Sequence, residues 1–414
     1  MKVLELFAGI GACSRALEKL GIEHEIVDAV EIDKYAIASF NAIHSTNFEP
    51  QDITAWNKNI EVDLIMHGSP CQDFSVAGKQ AGGDIGSGTR SSLMYETIRI
   101  VGKLRPKYIV WENVKNLLSK KHKHNFDAYI ETMNILGYNS YYQVLNAKDY
   151  GIPQNRERVF TVSIRKDIDR GFEFPQKEEL KLRLKDMLED EVDEKYYLND
   201  AQIERIKTTT YNIGKTRIQS LCARDWKDPK CVRIGGMYGQ TTRWGLYDNK
   251  GIAPTMVAAM GEGGGYIPMV KDSKYDEQGL APTLTQQEEK ILIKNATKKG
   301  YDEAVEGDSI NLSYPDSTTR RGRVGHQVSQ TIQCNDMIGG VVNNNGLRIR
   351  KLTPKECWRL MGFNDEDFEK AKAAPMSNTQ LYKQAGNSIV VNVLEKIFKN
   401  LFMEIIRWEH TKQK

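Results

Sequence analysis

The chain of 414 residues is long enough to bury a full core and to form two domains, and its 40% hydrophobic and 27% charged residues are typical of a soluble globular protein. Lysine and arginine outnumber aspartate and glutamate by only 58 to 55, so the charge neither requires nor excludes a nucleic-acid partner, because a DNA-binding protein can concentrate its positive charge on one face. No apolar run reaches the roughly 18 residues that a membrane span needs, so we expect no membrane association.

The spacing of the six cysteines does not fit a metal site. None forms a Cys-x-x-Cys pair, and no group of cysteines and histidines has the spacing of a zinc site. The N-terminus carries no signal peptide, which predicts a cytoplasmic protein whose cysteines are reduced thiols. The sequence therefore predicts no metal and no disulfide.

Residues 1–174 alternate strand-like and helix-like segments, which is typical of an α/β sheet with crossover helices. The predicted strands, in chain order, are 3–7, 25–31, 62–67, 107–111, 139–146 and 159–164. The predicted helices are one that ends at Gly21 and three that span 36–43, 92–104 and 126–136. This alternation predicts that the first domain is of the α/β class.

The composition changes at Pro175. Four apolar residues then recur at helical spacing in a charged segment: Leu180, Leu184, Met187 and Leu188. This spacing predicts a helix that leads out of the first domain. Residues 200–345 are richer in glycine, threonine, asparagine and short β-like runs, and 247–256 recurs as 275–284. Two copies are too few for a solenoid, so we expect related hairpins in a smaller β-rich domain.

The last predicted helix, 389–403, carries Ile389, Val393, Ile397 and Leu401 on one face. We expect it to pack back on the first domain, so the second domain is inserted rather than appended. The expected divisions are 1–174, 175–346, 347–385 and 386–414.

A glycine-rich turn follows the first predicted strand. It reads Phe7-Ala8-Gly9-Ile10-Gly11, where a bare backbone lets a ligand approach closely, and Glu31 ends the next strand, where an acidic side chain commonly binds ribose hydroxyls. On its own, a glycine-rich turn is often a simple connection between two elements and binds no ligand. Ser14 at the third glycine position argues against a nicotinamide cofactor, whereas Asp52-Ile53 follows where a nucleoside base would be bound.

Cys71 is the candidate nucleophile. It follows Pro70 at the end of a predicted buried strand, and the glycine-rich segment after it is typical of a mobile lid. A free intracellular cysteine is usually a small buried hydrophobe, and an unperturbed thiol must be activated before it attacks. The proline before it and the polar segment after it favour an exposed thiol, and we assign the other five cysteines to packing.

Three charged residues follow or begin other predicted strands. Glu112 comes directly after Tyr108-Ile109-Val110-Trp111, at the sheet edge where ligands bind in open α/β folds. Arg156 and Arg158 alternate along an extended run, so they point the same way. In isolation, Glu112 could be a surface carboxylate and the arginines a solvated strand edge; a thiol, a carboxyl group and two arginines together suit attack on a pyrimidine ring.

Taken together, these motifs resemble the DNA cytosine-5 methyltransferase family. The glycine turn, Pro70-Cys71-Gln72, Glu112-Asn113-Val114, the run from Gln154 to Arg158, and Gly386-Asn387-Ser388 appear in the family's order. The match covers the first 165 residues and about the last 70. The resemblance implies a mostly parallel Rossmann-like sheet with helices on both faces, plus a smaller β-rich target-recognition domain, with residues 347–362 as its support.

The resemblance also implies roles for individual residues. Catalysis, through a covalent bond from Cys71 to C6 of a flipped-out cytosine, would use Cys71, Glu112, Arg156 and Arg158. S-adenosylmethionine, with no metal, would be bound by Phe7, Gly9, Gly11, Glu31, Ile32, Asp52, Ile53, Pro70, Leu93, Asn387 and Ile389. Double-stranded DNA would be contacted by Gln72, Ser75, Lys79, Arg90, Arg233, Arg243, Thr255 and Met256.

The recognition region offers three pairs of threonine and an aliphatic residue, the family's signature there: Thr255-Met256, Thr283-Leu284 and Thr331-Ile332. Thr255-Met256 has the closest context. The target sequence is left open, as is a companion restriction endonuclease, and we expect a monomer. Three other readings remain: a tRNA methyltransferase of the same fold, which the long insert disfavours; a non-catalytic DNA-binding module, which the intact motifs disfavour; and an oxidoreductase.

Overall fold

The computed structural model describes residues 1–70, 93–199, 201–203, 290–317, 319–333, 337–343 and 347–403, together with the backbone of 233–236, 245–247 and 269–270. These residues fall into two compact units. The first comprises Met1–Asn199, Glu306–Ser313 and Val324–Lys414, and the second comprises Asp200–Val305 and Tyr314–Arg323. Residues 175–199, which the sequence grouped with the recognition region, therefore belong to the first unit.

The first unit is built on a six-stranded sheet with the order β2-β1-β3-β4-β7-β5. The strands are β1 (Lys2–Leu6), β2 (Glu25–Val30), β3 (Leu64–His67), β4 (Tyr108–Val114), β5 (Tyr138–Asn146) and β7 (Glu157–Arg165). Strands β1 to β4 pair in parallel, whereas β7 runs antiparallel between β4 and β5. The predicted mostly parallel α/β sheet is thus confirmed.

Helices cover both faces of this sheet, as predicted. The helices are α1 (Ala12–Lys19), α2 (Lys34–His44), α3 (Met94–Leu104), α4 (Lys123–Ile135), α5 (Pro354–Arg359), α6 (Asp365–Ala373), α7 (Asn378–Asn387) and α8 (Val391–Phe398). Successive strand residues point to opposite faces, so Val3 packs with α1 and α8, whereas Leu4 belongs to the core that contains α3 and α4. The chain's last described helix therefore packs on the first unit.

The helix predicted over residues 180–188 is wrong. The structure has a single 3₁₀ turn there, Leu184–Met187. The backbone N–H of Leu184 donates to the carbonyl of Gln327 at 2.9 Å, so it is not available to a helix, and the side chains of Leu184 and Met187 pack in the core. Long-range packing here outweighs the local periodicity.

The remaining strands are short. In the first unit, β6 (Gln154–Asn155) pairs with β15 (Ser329–Gln330), and β13 (Ser309–Asn311), β14 (Val324–Gly325), β16 (Ile338–Asn343) and β17 (Leu347–Lys351) form a four-stranded sheet. In the second unit, the described strands are β8 (Arg233–Gly236), β9 (Gly245–Tyr247), β10 (Met269–Val270), β11 (Ile291–Lys294) and β12 (Tyr301–Ala304). The β-rich character expected of the inserted region is present in these strands.

A buried ion pair anchors β17 to α5. Both guanidinium nitrogens Nη1 and Nη2 of Arg350 donate to the carboxylate of Glu356, at 2.8 and 2.7 Å. The same carboxylate accepts the backbone N–H groups of Thr353 at 2.7 Å and Glu189 at 2.8 Å. Both side chains are almost completely buried, so this carboxylate joins three separate segments of the first unit.

We expect Glu356→Ala to lower the free energy of unfolding by about 3–5 kcal/mol, because it leaves the buried Arg350 without its carboxylate. The matched control is Glu366→Ala, whose carboxylate pairs with Lys370 on the surface of α6 and is 70% exposed. That change should cost no more than about 0.5 kcal/mol. Urea denaturation of the two variants measures the difference, and equal losses would contradict the role of Glu356.

Candidate active site

A cavity opens at the carboxyl ends of β1, β3 and β4. It lies where open α/β sheets bind their ligands. Its lining residues are Glu5, Leu6, Phe7, Ala8, Gly9, Ala12, Cys13, Met66, Gly68, Glu112, Asn387, Ser388 and Ile389. Four of the residues that the sequence assigned to the cofactor, Phe7, Gly9, Asn387 and Ile389, are thus brought together.

The two glycines of the turn have different structural roles. Gly9, at φ +57°, has open space where a Cβ would lie, so it leaves the cavity free. Gly11, at φ +83°, would place a Cβ 2.1 Å from Nε2 of His44 on α2, and that nitrogen lies 3.1 Å from the Gly11 carbonyl oxygen. Gly11 therefore serves the packing of α2 and is not part of the cavity lining. Phe7 also has a positive φ, +54°, which is unusual for a side chain with a Cβ.

Glu31, at the end of β2, is tied to the glycine turn. Its carboxylate accepts the backbone N–H groups of Gly9 at 3.0 Å and Asp33 at 2.8 Å. Burial raises the pKa of this carboxyl group. The next residue, Ile32, is 70% exposed, which leaves an apolar surface beside the carboxylate.

The loop with Asp52 and Ile53 is fixed next to Glu31. The N–H of Gln51 donates to the Glu31 carbonyl at 2.8 Å, and the buried carboxylate of Asp28 accepts the indole N–H of Trp56, also at 2.8 Å. Ile53 is buried in the core. Asp52 is exposed, and one of its carboxylate oxygens, Oδ1, accepts the N–H and the hydroxyl of Thr54.

Strand β4 fixes the chain that leads to Cys71. The indole N–H of Trp111 donates to the Ser69 hydroxyl at 3.1 Å, and the Asn113 amide donates to the Ser69 carbonyl at 3.2 Å. His67, two residues before Ser69, stacks on Trp111. Burial lowers the pKa of the His67 imidazole to about 3, so the ring is neutral. The position of Ser69 and Pro70 is therefore set by buried hydrogen bonds.

Glu112 points to the opposite face of β4 and lines two cavities. Its carboxylate oxygen Oε1 lies 3.0 Å from Nε of Arg158, and both side chains are largely buried. The second cavity is the smaller one, and its lining residues are Glu112, Leu145, Ala147, Arg156, Arg158, Phe160, Val390 and Val393. The Glu112–Arg158 ion pair thus lies between the two spaces.

Arg156 has a different environment from Arg158. It is 4% exposed, and its guanidinium donates to three backbone carbonyls: Ile332 at 2.9 Å, Ser388 at 2.8 Å and Gly386 at 3.3 Å. These bonds hold the segment that contains Asn387 and Ile389 against β6. The two arginines do face the same cavity, as their alternation predicts, but Arg156 acts on the backbone around it.

Of the three pairs of threonine and an aliphatic residue, the structure describes only Thr331-Ile332. The Thr331 hydroxyl donates to the Asn155 carbonyl at 2.7 Å, and the N–H of Ile332 donates to the side-chain oxygen of Gln154 at 3.3 Å. The pair therefore lies directly on the run from Gln154 to Arg158. The sequence favoured Thr255-Met256, which lies outside the described residues. The contacts of Thr331-Ile332 join residues far apart in the chain and leave no local signal in the sequence.

Several predicted residues lie outside the described part of the chain: Cys71, Gln72, Ser75, Lys79, Arg90, Arg243, Thr255 and Met256. Arg233 begins β8, but its side chain is not described. Pro70 and Leu93 flank the segment around Cys71, and Leu93 packs against the α3–α4 core. Among the described residues, no group of three or more His, Cys, Asp or Glu side chains could bind a metal ion, and no helix could span a membrane.

Two residues of the larger cavity that carry ionisable side chains were not assigned to the site from the sequence. Cys13 was assigned to packing, and it is indeed buried, but it also lines the larger cavity. Glu5 lies in the middle of the apolar strand β1, and a charged residue in such a strand was the available signal. Its carboxylate is buried and accepts the backbone N–H of Ser14 at 3.0 Å.

Comparison with known proteins agrees with this geometry. The family model for C-5 cytosine-specific DNA methylase matches residues 1–403. The chain belongs to this family. The orphan methyltransferase M.SPRI of Bacillus phage SPR is 34% identical, with 99% of both chains covered. The type II methyltransferase M.HhaI of Haemophilus parahaemolyticus is 32% identical, with 97% of this chain and 94% of M.HhaI covered.

Solved structures of DNA methylases and related enzymes share the fold. A putative DNA modification methyltransferase encoded within a prophage of E. coli has a TM-score of 0.55 and 20% identity, with 98% of this chain and 99% of that chain covered. A Spodoptera frugiperda DNMT2 mutant has a TM-score of 0.56 and 17% identity, with 97% and 99% covered. At these identities the likeness concerns the fold, and it covers nearly the whole methylase chain.

We expect Gly11→Ala to destabilise this methylase by about 2–5 kcal/mol, because the new Cβ both adopts a left-handed backbone and collides with the His44 ring. Gly9→Ala has the same type of backbone but meets no atom, so it should cost only about 1–2 kcal/mol. Calorimetric melting of the two variants separates these effects. Equal losses of stability would show that the contact with α2 does not require Gly11.

Proposed function

We propose that this methylase transfers a methyl group from S-adenosylmethionine to C5 of a cytosine flipped out of duplex DNA, through a covalent bond between Cys71 and C6. The observation that carries the proposal is the position of Glu112, which lines both cavities and pairs with Arg158 at 3.0 Å. A cofactor in the larger cavity and a base in the smaller one would then meet at this carboxylate.

The residues around the larger cavity fit S-adenosylmethionine. The Glu31 carboxylate already accepts two backbone N–H groups and keeps lone pairs for ribose hydroxyls. The exposed Ile32 offers an apolar surface to the adenine, with Asp52 and Ile53 on the adjoining loop. Gly9 leaves its side open to the ligand, and Phe7, Pro70, Leu93, Asn387 and Ile389 complete the proposed surroundings. When bound, the cofactor supplies an electrophilic methyl group on a positively charged sulfur.

C5 of cytosine is a weak nucleophile until the ring loses its aromaticity. Cys71, deprotonated to the thiolate, adds to C6, and the displaced electron pair passes to N3, which takes a proton from Glu112. C5 then carries enamine electron density and accepts the methyl group. Loss of the C5 proton to solvent restores the C5–C6 double bond and expels the Cys71 thiolate, and N3 returns its proton to Glu112.

The described residues support this sequence of steps by positioning. Ser69, held by Trp111 and Asn113, sets the start of the chain that leads to Cys71. Arg158 holds the Glu112 carboxylate and would donate to O2 of the base. Arg156 supports the smaller cavity by binding the carbonyls around Asn387 rather than by touching the base. Stacked cytosine is out of reach of such a site, so the base must leave the helix.

Recognition of the DNA sequence is assigned to the inserted region, 175–346. Gln72, Ser75, Lys79 and Arg90 in the segment after Cys71 would approach the flipped base, and Arg233, Arg243, Thr255 and Met256 would contact the duplex. Thr331 joins this set, because its hydroxyl donates to the carbonyl of Asn155, the residue next to Arg156. We propose an active monomer in the cytoplasm of a bacterium, acting on cellular or phage DNA.

Relatives support two settings for such an enzyme. M.SPRI is named an orphan methyltransferase, which supports an enzyme that works alone, whereas M.HhaI is named a type II methyltransferase, which supports a companion restriction endonuclease. Bisulfite sequencing of plasmid DNA from an expressing host would identify the methylated sequence. Digestion of that plasmid with extracts of the source organism would reveal a matching endonuclease.

The test of the proposed function is transfer of tritium from methyl-labelled S-adenosylmethionine to duplex DNA and to tRNA. We expect label in DNA and none in tRNA, and a loss of more than about 10²-fold in Cys71→Ala with DNA binding retained, because the nucleophile is gone. The control is Cys357→Ala, which removes a buried thiol in the core and should keep the activity. Label in tRNA alone would contradict the DNA substrate, and an active Cys71→Ala would contradict the covalent route.

A further inference from the structure

Glu5 is a buried acid in a strand whose other residues are mostly apolar. It is 2% exposed and lines the larger cavity together with Phe7, Gly9 and Cys13. Its carboxylate oxygen Oε1 accepts both the N–H and the hydroxyl of Ser14 in the first turn of α1. Both bonds come from a neutral residue, so neither supplies a positive charge to balance the carboxylate.

The charged side chains that line the larger cavity are both acidic. Among the described residues that line it, the charged side chains are Glu5 and Glu112, and no lysine, arginine or histidine accompanies them. Glu112 is balanced by Arg158 from the neighbouring cavity. Glu5 is thus the carboxylate whose charge the lining leaves uncompensated.

A buried carboxylate without a cation is costly, and a positive ligand placed beside it lowers that cost. The proposed cofactor carries a positive sulfur before methyl transfer, and the product S-adenosylhomocysteine does not. We propose that Glu5 selects the positively charged cofactor over its neutral product and so promotes product release. This inference rests on the proposed function, since it concerns the cofactor of the same reaction.

The groups around Glu5 agree with this assignment. Burial raises the pKa of its carboxyl group, while His44 on α2, the bonds from Ser14 and His24 before β2 act in the opposite direction. Cys13 on α1 lies close enough for Glu5 to add to the effect of burial and raise the thiol pKa further. A cation bound in the cavity lowers the pKa of Glu5, so its binding releases protons at pH values between the bound and the free pKa.

The test is calorimetric titration of the full chain with three ligands: S-adenosylmethionine, S-adenosylhomocysteine, and sinefungin, in which an ammonium-bearing carbon replaces the sulfonium. Glu5→Gln keeps an oxygen for Ser14 but removes the charge. We expect it to weaken binding of the two positive ligands by roughly 10- to 100-fold and to change S-adenosylhomocysteine binding by less than about threefold.

Two control variants separate charge from general damage to the cavity. Glu31→Gln changes another carboxylate at the same site, beside the proposed ribose, and should weaken all three ligands alike. Ser14→Ala removes the hydroxyl that donates to Glu5 but keeps the Glu5 charge, so it should leave the ratio of the two cofactor affinities unchanged. Equal weakening of all three ligands in Glu5→Gln, or none, would overturn the role of Glu5.

A measurement on the unmodified protein is independent of whether Glu5→Gln folds. Titrations at a series of pH values, in buffers of different ionisation enthalpy, count the protons exchanged on binding. We expect proton release with S-adenosylmethionine and sinefungin and none with S-adenosylhomocysteine. Equal proton counts would overturn the inference while leaving the proposed function intact, whereas a protein that binds none of the three ligands would overturn the proposed function itself.

Discussion

The organisation of the site depends on the alternation of side chains at the end of β4. Trp111 and Asn113 point to one face and hold Ser69, whereas Glu112 points to the other face, towards Arg158. The antiparallel pairing of β4 with β7 places Arg158 opposite Val114, two residues along from Glu112 and on its face of the sheet. One short strand end therefore positions both the chain that leads to Cys71 and the Glu112 carboxylate.

The elements that carry the chemistry could be predicted because their signals are local. Apolar runs predicted the strands of the central sheet, and the motifs beside these runs predicted the edge of the sheet that carries Glu31 and the Glu112–Arg158 pair. The fold class was confirmed on this basis. Because the carboxyl ends of parallel strands lie together at one edge of the sheet, motifs that follow different strands come to the same edge.

The features that could not be predicted depend on contacts between distant parts of the chain. Arg156 was expected to act with Arg158 in catalysis. Its bonds to the carbonyls of Ile332 and Ser388, which join residues far apart in sequence, were not expected. Gly11 was expected at the cofactor, and its need for glycine arises from His44 on α2. The wrong helix near Leu184 has the same origin, since its N–H bonds to Gln327. Periodicity and spacing carry no information on such partners.

The central claim is that Cys71 forms a covalent bond with the cytosine ring and leaves only after the C5 proton departs. A duplex with 5-fluorocytosine at the target position tests this directly, because fluorine cannot leave as a cation and the second step stalls. We predict a denaturant-resistant complex of protein and DNA that requires S-adenosylmethionine and maps by mass spectrometry to the peptide containing Cys71. An enzyme that methylates ordinary DNA but never forms this complex, or forms it through another cysteine, would contradict the account.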